Sequence, residues 1–496
     1  MRRRAYLGVD IGTSSSKGVL VDPQGRLVRT AVREHTVDRP APGHVEMDAQ
    51  VWWREFVELA GELTAPGDVE VAAVGVSGMG PCVVVTDDDG TPLRPAILYG
   101  VDTRASAQID ALNDELGAEA IFERCGSMLS SQAVGPKLRW LADTEPGTTA
   151  RARRLFMPSS WLAYRLTGEY VLDYHSASQC TPLFDTVDNT WHDGWARHIC
   201  PDLELPPLRW PGEAAGVTTH EVGGIPAGVP VITGTIDAWS EAVSVDAQRP
   251  GDLMIMYGTT MFLVNTVRER LTTPAMWGTL GALPGTRNLA GGMATSGAIT
   301  AWLRELTGGT DYSTLLAEAA ASGAGANGLL VLPYFAGERT PIFDPDARGV
   351  VAGLTLSHTR GDLYRAVLEA TAFGVRHNIE SLHEVGAEIS RAVAVGGGTQ
   401  GALWTQVVSD VTGMAQTVPS VTIGASYGAA FLAAGLVDDV RMAEWNPPAR
   451  VCEPDPAVRD TYDALYEQYR ALYPASRDVV HVLAQHQRAR SREGES

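Results

Sequence analysis

Two aspartates in this chain each close an apolar run. Asp10 follows AYLGV and precedes IGTSSSKG; Asp237 follows VITGTI and precedes AWSEAV. A carboxylate at a strand end suits proton or cation chemistry. The stretch from Ala5 to Val21 reads as strand, tight turn, strand, and so as a β-hairpin. Its turn is Gly12, Thr13, Ser14, Ser15 and Ser16. Small side chains there let backbone N–H groups and hydroxyls approach an anion. A carboxylate beside a phosphate repels it unless a cation lies between them. One reading is therefore a nucleotide-phosphate hairpin with Asp10 facing Mg2+. The other is an ordinary Ser/Thr-rich hairpin whose Asp caps a turn. Asp237 has two readings as well: the N-cap of the helix that follows, or a catalytic base.

The elements around them follow from apolar spacing. The opening pattern returns from Asp252 to Val267, DLMIMYGTTMFLVNTV, with Gly258-Thr259 matching Gly12-Thr13. The second copy has no Asp where Asp10 stands, so the halves have different duties. Two such hairpins half a chain apart suggest a duplicated domain that grips a phosphate between its copies. Helices are expected over Asp48–Leu63, Leu138–Ala142, Ser159–Leu166, Ser296–Leu306 and Asp362–Glu384, where apolar residues recur at helical spacing. Strands are expected over Val69–Ser77, Leu329–Tyr334 and Ala392–Val395, and 181–230 reads as irregular. In ILYGVDTR, Asp102 and Arg104 end an apolar run, which suits either a polar-ligand pocket or a surface loop. Gly396-Gly397-Gly398-Thr399 follows a strand and precedes a helix, an arrangement by which backbone approaches a nucleotide. Asp87-Asp88-Asp89-Gly90 is a turn signal rather than a calcium loop. Gly424-Ala425-Ser426-Tyr427-Gly428 matches the GxSxG nucleophile elbow. No strong strand precedes it and GAAFLAAG continues it, so it reads as a packing helix. From about Pro447 the chain reads as charged and helical, with a frayed polar tail after Ala484.

Composition narrows the class. A chain of 496 residues needs two or three cores. The formal net charge of −20 disfavours nucleic acid as a partner. It also means that a polyanionic ligand must be met by local N–H groups, Lys, Arg or metal. No apolar run approaches the length of a membrane span, and the basic start MRRR is not read as a signal peptide. Five cysteines without CxxC spacing fit reduced thiols and a cytoplasmic protein.

Taken together, these motifs resemble the FGGY carbohydrate kinases, from about Tyr6 to about Leu436. Gly349 to Glu369, GVVAGLTLSHTRGDLYRAVLE, fits that family's second signature at every constrained position, including Gly353, Leu354, Asp362, Leu363, Ala366 and Glu369. The first signature is partial. Lys137-Leu138, Trp140-Leu141 and Asp143 agree, whereas Val134 and Thr144 are atypical. GVDIGTSSSK, GTIDAW, GERTP and VGGGTQ complete the set. Within the family, GERTP and LRPAIL are most similar to xylulokinases. Gly80 stands where many members have His, and Tyr99 where Trp is usual.

The resemblance implies an α/β fold of duplicated actin/Hsp70/sugar-kinase (ribonuclease H-like) domains with an interdomain cleft. The expected division is 1–245 for the sugar-binding half, 246–440 for the nucleotide-binding half, and 441–496 for a helical segment with a flexible tail. It implies ATP-dependent phosphorylation of a sugar hydroxyl, with D-xylulose first and another pentulose, a polyol or a sugar acid (ribulose, gluconate, erythritol) as alternatives. A sugar-sensing protein without turnover is disfavoured, because Asp10 and Asp237 are both retained. Asp237 is then the base, and Asp10 faces the Mg2+ of MgATP. Thr13, Ser14, Ser15, Lys17, Gly258, Thr259 and Thr260 meet the phosphates. Gly396, Gly397 and Gly398 underlie the adenosine. Met79, Gly80, Asp102 and Arg104 shape the sugar pocket beside Asp237. The implied partners are a small sugar and ATP, with no nucleic acid or membrane. A homodimer is common in the family.

Overall fold

The computed structural model describes residues 2–494. It forms two compact units. One comprises Met1–Pro250, Thr266–Asn288 and Ile423–Pro447; the other comprises Gly251–Asn265, Leu289–Thr422 and Pro448–Ser496. A linear boundary therefore does not separate them, because the chain returns to the first unit at Ile423.

The first unit is built on a twisted sheet. β1 (Arg3–Ile11) pairs antiparallel with β2 (Ser15–Val21), which pairs antiparallel with β3 (Leu27–Glu34). On its other edge β1 pairs parallel with the strand Val69–Gly78, and Pro230–Ile232 follows that strand. Alternation along β1 decides the two faces. Leu7, Val9 and Ile11 share one core with Trp52, Phe56, Leu59 and Leu63 of helix α1 (Ala49–Thr64). That helix starts where Asp48 accepts a hydrogen bond from the Gln50 N–H at 2.9 Å. Full burial of such side chains contributes about 1.5–3 kcal/mol each.

The other face is made for backbone contact. Gly8 of β1 lies opposite Gly75 in register. A Cβ on Gly8 would fall 2.0 Å from the Ser426 carbonyl oxygen, and one on Gly75 would fall 2.0 Å from that of Ala429. The helix Ala425–Ala434 thus rests its main chain on the sheet. Ser426 is 1% exposed and its hydroxyl has no partner among the described residues. It is a packing residue, as the small-residue run suggested.

The second unit repeats the plan. Asp252–Tyr257 and Met261–Val267 form an antiparallel hairpin, and Arg287–Met293 extends it. Arg391–Val395 pairs parallel with Asp252–Tyr257, and Gln416–Pro419 pairs parallel with Arg391–Val395. The segment Gly349–Glu369 has structural work here. Asp362 accepts from the Thr359 N–H and hydroxyl at 2.7 Å and closes a capping box on the helix Arg360–Glu384. Gly353 has φ +89°, and a Cβ there would meet the Gly328 carbonyl at 2.4 Å. Glu369 accepts from the Gly325 N–H, Arg365 and the Tyr462 hydroxyl.

Two expectations change. The chain from Pro447 is not helical throughout: Pro448–Cys452 is a strand paired antiparallel with Gln416–Pro419. The chain from Arg459 is one helix through Gly494, where the sequence reading expects a frayed tail after Ala484; residues 495 and 496 lie outside the described ones. Asp87–Gly90 is a turn, with Asp87 accepting from the Asp89 and Thr91 N–H groups.

Packing on the glycine face gives opposite outcomes for two small substitutions. Gly75→Ala should destabilise by at least about 1–3 kcal/mol, because helix backbone must move. Ser426→Ala should leave the melting temperature unchanged or raised, since it removes a buried unpaired hydroxyl. Thermal melts of both variants check this. A Ser426→Ala variant much less stable than Gly75→Ala would contradict the packing account.

Candidate active site

The first unit gathers three carboxyl groups at one end of its sheet. Asp10 lies two residues beyond Gly8 and so shares its face. Ser77, opposite Asp10 in register, donates to its carboxylate at 2.9 Å. Lys17 is opposite Asp10 on β2. The short strand Thr235–Ile236 pairs with Ser77 and Gly78 and delivers Asp237 to this end. Asp237 is the first residue of the helix Asp237–Ser244, with Ile236 at the N-cap. The N-cap reading of Asp237 therefore fails: among the described residues its carboxylate accepts only from the adjacent Ala238 N–H, at 2.7 Å. Glu241, one turn on, is the third carboxyl. The sequence reading missed it, although its i+4 spacing from Asp237 was visible.

Burial sets their chemistry. It pushes Asp10 up to about 6, against the pull of Ser77 and Lys17. Burial, then the charge of Asp10, pushes Asp237 up to about 7. The same two causes push Glu241 up to about 7. Carboxyls poised near neutrality suit proton transfer.

The helix Asp237–Ser244 is held by close contacts. A Cβ on Gly428 would lie 1.9 Å from the Ser240 carbonyl oxygen. The Ser240 hydroxyl donates to the Ala425 carbonyl at 2.7 Å. The Trp239 indole donates to Asn288 at 2.9 Å.

Beside the carboxyls lies a mixed apolar and hydroxyl surface. The Thr13 hydroxyl is 2.9 Å from the Tyr99 hydroxyl and donates to the Met79 sulfur at 3.7 Å. Met79 is fixed by its N–H to the Ile11 carbonyl at 2.7 Å. A Cβ on Gly80 would meet Ile236 at 2.7 Å, so that position brings the loop against the strand before Asp237. Asp102 and Arg104 are not on a surface loop. The Asp102 carboxylate accepts from the Arg104 guanidinium and the Val45 N–H, and Arg104 also pairs with Glu46. Both side chains are fully buried. They brace the loop that carries Tyr99. Lys137, 1% exposed, donates to the Tyr99 carbonyl at 3.1 Å from behind. Burial lowers its pKa to about 8. Its bracing role was not legible from the sequence, where it stood only as a signature position.

The second unit brings its own predicted residues together. Gly258 to Thr260 form the turn of the hairpin, and the Gly258 N–H donates to the Thr260 carbonyl at 3.1 Å. Gly396 has φ +90°; a Cβ there would meet the Tyr257 carbonyl at 2.6 Å, and one on Gly398 would meet Tyr257 and Trp404 at 2.8 Å. Gly397 faces open space. The run thus lies against the end of the Asp252–Tyr257 strand. Glu338, of the GERTP segment, accepts from the Ala294 and Arg339 N–H groups at 2.7 Å, and burial raises it to about 8.

Among the described residues no group of three or more His, Cys, Asp or Glu is set to hold a metal ion. One carboxylate, Asp10, fits a magnesium ion that brings phosphate and water ligands with it. No helix among them is long and apolar enough to cross a membrane. All five cysteines are free.

Comparison with known proteins bears on the family and the fold. Residues 5–244 match the N-terminal domain, and 253–436 the C-terminal domain, of the FGGY family of carbohydrate kinases. The xylulose kinase of Escherichia coli (strain K12) is 29% identical over 486 residues, covering 94% of this chain and 98% of that protein. The glycerol kinase of Nocardia farcinica (strain IFM 10152) is 31% identical, covering 89% of this chain and 93% of its own. The crystal structure of xylulose kinase from Rhodospirillum rubrum superposes with a TM-score of 0.90 at 32% identity, covering 96% of this chain and 100% of that one. The two family domains together span most of the chain: it belongs to the FGGY family of carbohydrate kinases.

Proposed function

We propose that this kinase transfers the γ-phosphoryl group of ATP to D-xylulose, giving D-xylulose 5-phosphate, with Asp237 as the general base. The observation that carries it is the pair of buried carboxyls, Asp10 and Asp237, held at one sheet end with no structural partner that needs the Asp237 charge. Sugar hydroxyls are poor nucleophiles at neutral pH, so a kinase must align one and accept its proton. Asp237 takes the hydroxyl proton as the oxygen attacks the γ-phosphorus, and ADP leaves on the opposite side. Magnesium enters as MgATP, with Asp10 on its side. Thr13, Ser14, Ser15 and Lys17 meet the phosphates, as do Gly258, Thr259 and Thr260 of the second unit. Gly396, Gly397 and Gly398 underlie the adenosine. Met79, Gly80 and Tyr99 line the sugar side, and Asp102 with Arg104 holds that loop. A cytoplasmic location, suggested by the free thiols, belongs to the same proposal.

A second reading has its own support. Gly80 replaces a His that is common in the family, and a glycerol kinase is among the relatives. Both favour a smaller polyol, or a sugar acid such as gluconate, as acceptor. A coupled ADP-release assay across pentuloses, glycerol, erythritol and gluconate separates the two. D-xylulose should give the highest kcat/KM. Clear turnover on a polyol or hexonate with no pentulose activity would transfer the proposal to the second reading.

Asp237→Asn is almost isosteric, so sugar binding should survive while kcat falls ~10²–10⁴-fold. Calorimetric sugar affinity beside kcat checks this; a kcat within about threefold of wild type, far above that floor, would remove Asp237 as base.

The pH profile follows from the raised carboxyl. Asp237 accepts a proton only when ionised, and the ionised form is lost as pH falls through about 7. The logarithm of kcat/KM should therefore rise with pH below about 7 and level above it. An acid limb near the ordinary carboxylate range of about 4 would count against a buried base.

A further inference from the structure

Three carbonyls of the first hairpin turn, those of Gly12, Ser14 and Ser15, are claimed by donors of the protein itself. The Gly12 N–H donates to the Ser15 carbonyl and the His35 N–H to that of Ser14, both at 3.0 Å. The His35 ring continues this clasp. Its Nε2 lies 3.0 Å from the Gly12 carbonyl oxygen, and its Nδ1 lies 2.9 Å from Glu55 Oε2. The same carboxylate oxygen accepts from the Ser16 hydroxyl at 2.6 Å. The His35 and Glu55 side chains are each 6% exposed. By contrast, the Thr13 and Ser14 N–H groups have no partner among the described residues.

A carbonyl oxygen only accepts hydrogen bonds, and so does an ionised carboxylate. A ring placed between them satisfies both only by donating from both nitrogens. A neutral imidazole has one donor, and its other lone pair would face an acceptor in a buried site, which is costly. We infer that His35 holds both ring protons and, with Glu55, is a positioning residue that keeps the turn's carbonyls inward and its Thr13 and Ser14 N–H groups available to phosphate. This rests on the reading of the hairpin as the ATP phosphate site.

The second hairpin reaches the same end with backbone alone. Ser296 and Ala298 N–H groups donate to the Thr259 carbonyl, and the Gly297 N–H to that of Gly258, at 3.0–3.1 Å. Only the first hairpin uses ionisable side chains, so only there does one proton decide the shape of the cradle.

Two measurements on the full chain decide the matter. With 15N-labelled histidine at neutral pH, a long-range 1H–15N spectrum should show both His35 nitrogens protonated, assigned by the signal lost in His35→Gln. A neutral tautomer would overturn the inference. Glu55→Gln keeps the shape but removes the charge that holds the second proton. It should raise the KM for ATP about tenfold, as expected for loss of a charge-assisted hydrogen bond, with kcat and the sugar KM changed less than about twofold. An unchanged ATP KM would also overturn it. The spectrum needs no turnover, so it decides the protonation of His35 even if the kinase reading fails.

Discussion

The first unit depends on one close contact: the main chain of Ala425–Ala434 lying directly on the paired glycines Gly8 and Gly75. A methyl group at either would collide with a helix carbonyl at 2.0 Å. The same helix meets Asp237–Ser244 through Gly428 and Ser240. One helix thus touches the strand that carries Asp10 and the helix that Asp237 begins. Interiors are close-packed and transmit displacement, so a shift of this helix moves both carboxyls. The longest-range chain return in the unit, from Ile423 to Pro447, supplies that contact.

That packing has an electrostatic consequence. Three carboxyls near one another in low dielectric cannot all ionise without cost. Burial raises the pKa of Asp10, Asp237 and Glu241, and the charge of Asp10 raises Asp237 and Glu241 further. A site that holds Asp237 near neutrality can release and accept a proton at cellular pH, which is what hydroxyl phosphorylation asks of a base. Lys17 and the Ser77 hydroxyl moderate the effect at Asp10, whereas at Asp237 the moderation comes from the Ala238 N–H.

The two hairpins share a geometry and differ in what enforces it. Each turns its carbonyls toward protein donors. The donors are a helix start in one unit and a buried His–Glu pair in the other. The loop that carries Tyr99 is held in a similar way, with Lys137 donating to the Tyr99 carbonyl and Arg104 paired with Asp102. Much of the charged residue inventory near the site is support, and this is why single motifs there are weak evidence taken one at a time.

The sequence by itself determined the local elements and the family. Asp10 before a small-residue turn, the second hairpin at Asp252–Val267 and the helix from Arg360 are written in apolar period and turn chemistry, which act over a few residues. The sequence is ambiguous where one residue type serves two ends. Asp237 reads equally as cap or base in the sequence, and only the observed helix start, with Ile236 at the N-cap, removes the cap reading. Ser426 sits in an elbow motif, and only burial without a partner shows it to be packing. Glu241, Glu55, His35 and Lys137 acquired meaning only from neighbours tens or hundreds of residues away. The pKa shifts of Glu241 and Lys137 and the hydrogen bonds of Glu55 and His35 arise from desolvation and from partners on other strands and helices. Those are properties of the packed chain, because a carboxyl or imidazole has its ordinary chemistry until tertiary structure removes its water and chooses what replaces it.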